Sequence, residues 1–293
     1  MTSLARLRPR LLACRLPRGE RSGDLGIGPW RIRFEGIDAG LDAALAHRWG
    51  AFWGAPAGSG TVTVQVVRGD GGSWIPPGSP GELYRIEAEA EAAGILVASY
   101  RFALAPETNA AWRLAVEETP EEPLERIVEN AARYLVARLA AETGGIALHG
   151  AGLARSGRAW IFAGPSRSGK STAVSHSPGV SLGDDYAVVL PGSKGWIVPA
   201  VPFDNAESGS VASTPPMPLA RILRLRHATT PRLERLSGPR AQASLMGCVA
   251  FPWALPDLAG PIDAAVASLV AAGLFAELQL APNPSFWDVL ATE

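Results

Sequence analysis

Residues 161–172 read IFAGPSRSGKST, and the reading of this stretch decides the fold. Within it, Gly164-Pro165-Ser166-Arg167-Ser168-Gly169-Lys170-Ser171 satisfies the pattern G-x-x-x-x-G-K-[ST], with Thr172 following. An apolar run, Ala159–Ala163, leads into the loop, and a helix is expected to start as it ends. Glycines in such a loop let successive backbone N–H groups converge on phosphate oxygens. Lys170 is then expected to reach the β- and γ-oxygens of a nucleotide, and the Ser171 hydroxyl to ligate Mg2+. Gly164 to Thr172 is therefore the expected ATP-phosphate cradle. The competing reading is a fortuitous glycine turn.

Composition singles out the lysine. Of 27 basic residues, Lys170 and Lys194 are lysines and the rest are arginines. An ammonium on a flexible stem is a compact point charge that a planar guanidinium does not mimic. A lysine retained inside the loop is what phosphate chemistry requires, whereas Lys194, in PGSKGW, reads as an exposed turn residue. A formal net charge of −1 gives no support for a nucleic-acid or membrane-surface partner. No uncharged apolar run reaches the roughly 18 residues of a membrane helix. The two cysteines, Cys14 and Cys248, fall in no metal or redox spacing, which suits a reducing cytoplasm. The arginine-rich start, residues 1–22, is expected to be a basic tail, with an organelle presequence or a misassigned start as alternatives.

From residue 23 to 118 the pattern has period two. WRIRF (30–34), TVTVQVV (61–67), ELYRIEAEAEA (82–92), ILVASYRFALA (95–105) and AWRLAVEE (111–118) are separated by Gly/Pro/Ser turns. These predict a β-rich, mostly antiparallel N-terminal domain with one helix near Asp38–Trp49. A second domain is expected over 119–293. It opens with a helix capped by Thr119 and Pro120, whose apolar stripe runs Leu124, Ile127, Val128, Ala131, Leu135, Leu139 and which Gly144 or Gly145 ends. Strands and helices then alternate to the C-terminus, which predicts an α/β domain with a mixed sheet.

Two further features flank the loop. Asp184-Asp185 follows Lys170 closely, behind VSL and before YAVVL, which leaves room for a short helix and the next strand. Adjacent carboxylates on an extended chain point opposite ways, so a local turn is needed to aim both at the loop. One would then hold Mg2+ and the other accept a hydroxyl proton; a surface acidic pair is the plainer reading. Upstream, ALHGAGL sets His149 on the strand before the one that feeds the loop. A hairpin around RSGR would bring His149 to the loop, either as a phosphate contact or as a packing residue.

The combination LHGAGLARSGRAWIFAGPSRSGKST…LGDDYAVVL resembles the kinase core of the HPr serine kinase/phosphorylase family, over about residues 145–205. The resemblance implies a fold similar to phosphoenolpyruvate carboxykinase, ATP and Mg2+ as cofactors, and phosphate handling by Lys170 and Ser171. It implies a base and a metal contact from the acidic pair, with Asp184 taken as base and Asp185 as metal ligand beside Ser171, and His149 next to the transferred phosphate. Homo-oligomeric assembly is also implied. The chain departs from the family pattern at Arg167, where a small residue is usual. It also lacks the Glu-x-Arg-Gly-x-Gly segment, in whose place VPFDNAESGS offers Asp204 and Glu207.

The expected activity is transfer of the ATP γ-phosphate to a hydroxyl, on a peptide, a protein or a small molecule. An ATP hydrolase coupled to conformational change and a nucleotide-responsive binding protein are the alternatives. The arginines of LARILRLR and PRLERLS read as a solvated strand face, with an acceptor-binding surface as the alternative.

Overall fold

The structure is a computed structural model that describes residues 4–55, 58, 60–77, 85–92, 94–108, 110–120, 122–203, 211–280 and 285–291. Asp204 and Glu207 lie outside the described residues. The protein is mixed α/β with two mixed sheets, and its chain divides into two compact units. One comprises Met1–Leu135 and Phe251–Asp257, the other Val136–Ala250 and Leu258–Glu293. Among the described residues, no helix is long and apolar enough to cross a membrane.

The first unit begins with helix α1 (Leu7–Ala13), then strands β1 (Arg21–Ile27) and β2 (Trp30–Ile37), helix α2 (Ala39–Trp49) and strand β3 (Gly60–Arg68). Strands β4 (Glu87–Glu91), β5 (Gly94–Ala98), β6 (Phe102–Pro106) and β7 (Ala111–Val116) complete a sheet of order β1-β2-β3-β7-β6-β5-β4. Its β2–β3 and β3–β7 pairs are parallel and the others antiparallel. Alternation explains β2: Trp30, Ile32 and Phe34 are buried, while Arg31 and Arg33 between them and Glu35 after them are not. Asp38 caps α2, its carboxylate accepting from the Leu41 N–H at 2.8 Å.

Residues 4–22 are not a free tail. Leu4, Leu11 and Cys14 are buried with Val67, Trp74, Leu96 and Ala103 in one core cluster. Arg8 pairs with Glu91, and Arg10 with Asp70. The three leucines Leu4, Leu7 and Leu11 recur at helical spacing, and their burial outweighs the arginine content that suggested a free end.

Helix α3 (Leu124–Glu142) starts five residues later than its expected cap. Pro123 disfavours helical dihedrals at the residue before it, so the helix begins after it, and Thr119 instead bridges Glu122. The unit boundary falls inside α3, between Leu135 and Val136, rather than after residue 118. The first half of α3 is tied into the first unit. Buried Glu129 accepts from Arg48 and Arg133, each at 2.9 Å, and the Tyr134 hydroxyl donates to the Ala254 carbonyl at 3.1 Å.

The second unit runs through β8 (Ile146–Leu148), β9 (Gly150–Arg155), β10 (Arg158–Ala163), α4 (Lys170–Ser175), β11 (Val180–Gly183), β12 (Ala187–Gly192) and β13 (Gly195–Val198). It continues through β14 (Met217–His227), β15 (Arg232–Glu234), α5 (Gly238–Met246), α6 (Ala259–Ala271), β16 (Phe275–Leu280) and α7 (Phe286–Ala291). Its sheet is centred on three parallel neighbours, β10, β14 and β16. One face, with Phe162, Leu223, Leu225 and Leu278, packs against Ala173 of α4 and Phe286, Trp287 and Leu290 of α7. Strand β15 lies in PRLERLS and pairs antiparallel with β16. The carboxyl ends of β10, β14 and β16 form one edge of this sheet, the edge where ligands bind in open parallel sheets.

Candidate nucleotide site

The segment after β10 leaves the sheet at Gly164 and returns as α4. Its backbone is set by Gly164 at φ 152°, Arg167 at φ 65° and Gly169 at φ 94°. Ser168 N–H donates to the Pro165 carbonyl at 3.2 Å, which closes a turn with Arg167 at its third position. That position normally requires glycine, so Arg167 sits in a left-handed conformation that its neighbours must hold. Gly169 caps α4, and its positive φ is why glycine stands there. Helix α4 has only six residues, so its dipole is small and the charge at this site is carried by side chains.

His149 lies between β8 and β9, where the chain passes from pairing with β12 to pairing with β10. Its N–H donates to the Cys248 carbonyl at 2.8 Å, and its own carbonyl accepts from Gly164 N–H at 3.2 Å. Gly150 lies opposite Ala163, and a side chain there would meet the Phe162 carbonyl and Ile161 at 3.1 Å. The His-Gly pair thus marks a close backbone crossing that locks the first residue of the loop.

Lys170 is 5% exposed, and a charge so buried must be paired. Its Nζ lies 3.1 Å from the carbonyls of Gly164 and Pro165, 3.1 Å from His149 Nε2 and 3.2 Å from Asp185 Oδ1. Three ammonium protons face four acceptor atoms. His149 Nε2 is also 3.4 Å from Asp185 Oδ1. An unprotonated Nε2 accepts from Lys170, and a protonated one donates to Asp185. Lys170, His149 and Asp185 therefore form one contiguous polar cluster.

The acidic pair follows β11 through a turn with Asp185 at φ 66°. The turn brings both carboxylates to the loop, but on different partners. The Ser171 hydroxyl donates to Asp184, 2.9 Å from Oδ1 and 3.1 Å from Oδ2. Asp185 faces Lys170 and His149. The resemblance implies Asp185 as the partner of Ser171 and Asp184 as the base, whereas the Ser171 hydroxyl bonds Asp184. Loop residues including Arg167, Lys170, Ser171 and Thr172, together with Asp185 and His227, line a cleft of about 370 Å3. Ser166 and Gly169 also line it, Pro165 and Ser166 are exposed, and Ser168 is buried beneath Gly164.

Among the described residues, no group of three or more His, Cys, Asp and Glu side chains is arranged to hold a metal ion. A protein-only metal cage is not what Mg2+ uses at phosphates, where one or two protein oxygens suffice and water and phosphate oxygens fill the rest. The hydroxyl of Ser171 against the carboxylate of Asp184 fits that donor set.

His227 was not singled out by sequence. It ends β14, and its Nε2 lies 2.8 Å from the Arg167 carbonyl. The signal that would have found it is the parallel pairing of β14 with β10, a non-local relationship. The arginine face of β14 is partly tied down: Arg224 and Arg226 both engage the buried carboxylate of Glu277, which also accepts from the Ser244 hydroxyl at 2.7 Å.

Residues 115–254, just under half of the chain, match the family model described as SynChlorMet cassette protein ScmC. The matched stretch includes His149, the glycine loop, the acidic pair and His227. No curated protein matches the chain.

Proposed function

We propose that this protein is an ATP- and Mg2+-dependent phosphotransferase that moves the γ-phosphate to a hydroxyl of a peptide, a protein or a small molecule. The observation that carries the reading is the convergence on one loop of two separate pairs, Ser171 with Asp184 and Lys170 with Asp185. A mere glycine turn has no need of a buried lysine, a hydroxyl–carboxylate pair and a histidine at the same edge.

The residue roles follow from the pairing. Ser171 and Asp184 would hold Mg2+, which supplies charge neutralisation at the phosphate oxygens when bound. This exchanges the roles that the resemblance to HPr kinases gave the two aspartates. Lys170 contributes its ammonium to the phosphates, turning from the loop carbonyls and Asp185 that it now faces. Asp185 is then released from its cation and, with His149 beside it, accepts the proton of the incoming hydroxyl. The acceptor oxygen bonds to the γ-phosphorus as the bond to the β-bridging oxygen breaks, and ADP leaves. His149 orients Asp185 and can take the proton onward through Nε2.

Calorimetric titration of the full chain with ATP, with and without Mg2+, tests the binding half of this reading. Saturable binding that tightens with Mg2+ and is lost in Lys170→Ala is expected. Absence of binding, or equal binding by Lys170→Ala, would contradict it.

A further inference from the structure

The chemistry proposed above leaves His227 unused, although it is the side chain through which the neighbouring strand grips the loop. Its backbone is fixed by β14, paired with β16 at His227↔Leu280, and the next N–H, of Ala228, donates to the Leu280 carbonyl at 3.0 Å. The ring is exposed, so burial of apolar area does not explain its placement. Nε2 donates to the Arg167 carbonyl at 2.8 Å, and ring atom Cε1 is 4.0 Å from where a side chain on Gly169 would begin. The imidazole therefore bonds the loop at Arg167 and lies close to Gly169, on the other side of Ser168.

We infer that His227 is a positioning residue of the phosphate site, one that pins the Arg167 peptide so the loop keeps an anion-accepting shape. The inference rests on the nucleotide reading above. Two physical arguments support it. Arg167 holds a left-handed backbone that a side chain disfavours, and such a conformation persists only where neighbours over-determine it. Arg167 and His227 also line the same cleft, where bare carbonyl lone pairs would repel phosphate oxygens. A donor on the Arg167 carbonyl engages one of its two lone pairs and so lessens the repulsion. The imidazolium and one neutral tautomer both carry the Nε2 proton, so the contact does not depend on the charge of the ring.

The test titrates the full chain with ATP and with inorganic pyrophosphate, which has phosphates but no base or sugar. Wild type is compared with His227→Ala, His227→Gln and Lys170→Ala, each with a thermal melt. His227→Ala is expected to weaken both ligands by roughly fivefold to tenfold, the worth of one hydrogen bond. Gln, whose amide nitrogen reaches about as far as Nε2, is expected to restore affinity to within about threefold of wild type. If Lys170→Ala loses pyrophosphate while His227→Ala binds it as wild type does, this inference falls and the nucleotide reading stands. If Lys170→Ala also binds as wild type, the nucleotide reading falls. Loss of ATP but not pyrophosphate affinity in His227→Ala would place the ring on the nucleoside and overturn the positioning role. Should His227→Ala fail to fold, His227→Leu, which keeps bulk but has no donor, decides: weakened binding of both ligands supports the inference and wild-type affinity overturns it.

Discussion

Asp185 Oδ1 stands 3.2 Å from Lys170 Nζ, so the second aspartate of the pair is ion-paired with the loop's own lysine. An anion that draws the lysine away frees the carboxylate. In the function proposed above, the ammonium would link phosphate binding to the availability of a base, which gives the two aspartates different tasks.

That division predicts different losses from the two conservative variants. Asp185→Asn should keep ATP and Mg2+ affinity within about threefold of wild type and lose transfer by roughly 100-fold or more, the usual worth of a general base. Asp184→Asn should instead raise the Mg2+ concentration needed for half-maximal binding of ATP. Titrating each variant with Mg2+ at fixed ATP checks both, and an unchanged Mg2+ requirement in Asp184→Asn would return the metal role to Asp185.

Arg167 offers a test of loop strain. A side chain at φ 65° costs on the order of 1–2 kcal/mol, and glycine gives back part of that gain through its freer unfolded chain. Arg167→Gly should therefore stabilise the fold by about 0.5–1 kcal/mol in urea unfolding. Destabilisation would mean that the guanidinium makes contacts that outweigh the strain.

The N-terminal segment gives a prediction about stability alone. Leu11 is fully buried among Trp74, Leu96 and Ala103, so Leu11→Ala should cost about 2–4 kcal/mol. A change below about 0.5 kcal/mol, the size expected of a surface substitution, would restore the free basic tail.

Glu277 supplies a pH dependence. Burial pushes its carboxyl up, but hydrogen bonds from Arg226 and Ser244 more than offset this, and the group titrates below the usual carboxylate range. A depressed folded pKa gives stability that is present above the unfolded value of about 4.3 and is lost as pH falls through the folded one. Glu277→Gln should be less stable than wild type at neutral pH by about 1–3 kcal/mol. The gap should narrow in urea melts below about pH 4. A gap that stays constant with pH would show that the carboxylate charge contributes nothing.

The loop and its glycines were legible in sequence because the residues that impose positive φ at Gly164 and Gly169 stand in the chain as written. Leu4, Leu7 and Leu11 were equally legible by spacing, yet the arginines between them drew the reading toward a tail. The start of α3 was obscured because Thr119-Pro120 imitates a cap while Pro123, three residues on, sets the true start. Which aspartate meets Ser171 could not be read, since it depends on the left-handed turn at Asp185, and Asp184 beside it is the same residue type with the same tolerance for that conformation. His227 was hidden for a different reason: its contact follows from the parallel register of β10 and β14, which is set by residues sixty positions apart.

The most direct test of the central claim is phosphoryl transfer itself. The full chain is incubated with Mg2+ and γ-labelled ATP against a panel of Ser- and Thr-containing peptides and small hydroxyl compounds, beside Asp185→Asn. The account predicts label covalently attached to at least one hydroxyl acceptor, dependent on Mg2+ and absent with the variant. Release of labelled phosphate into water at a rate indifferent to every acceptor, or tight ATP binding with no turnover at all, would contradict it.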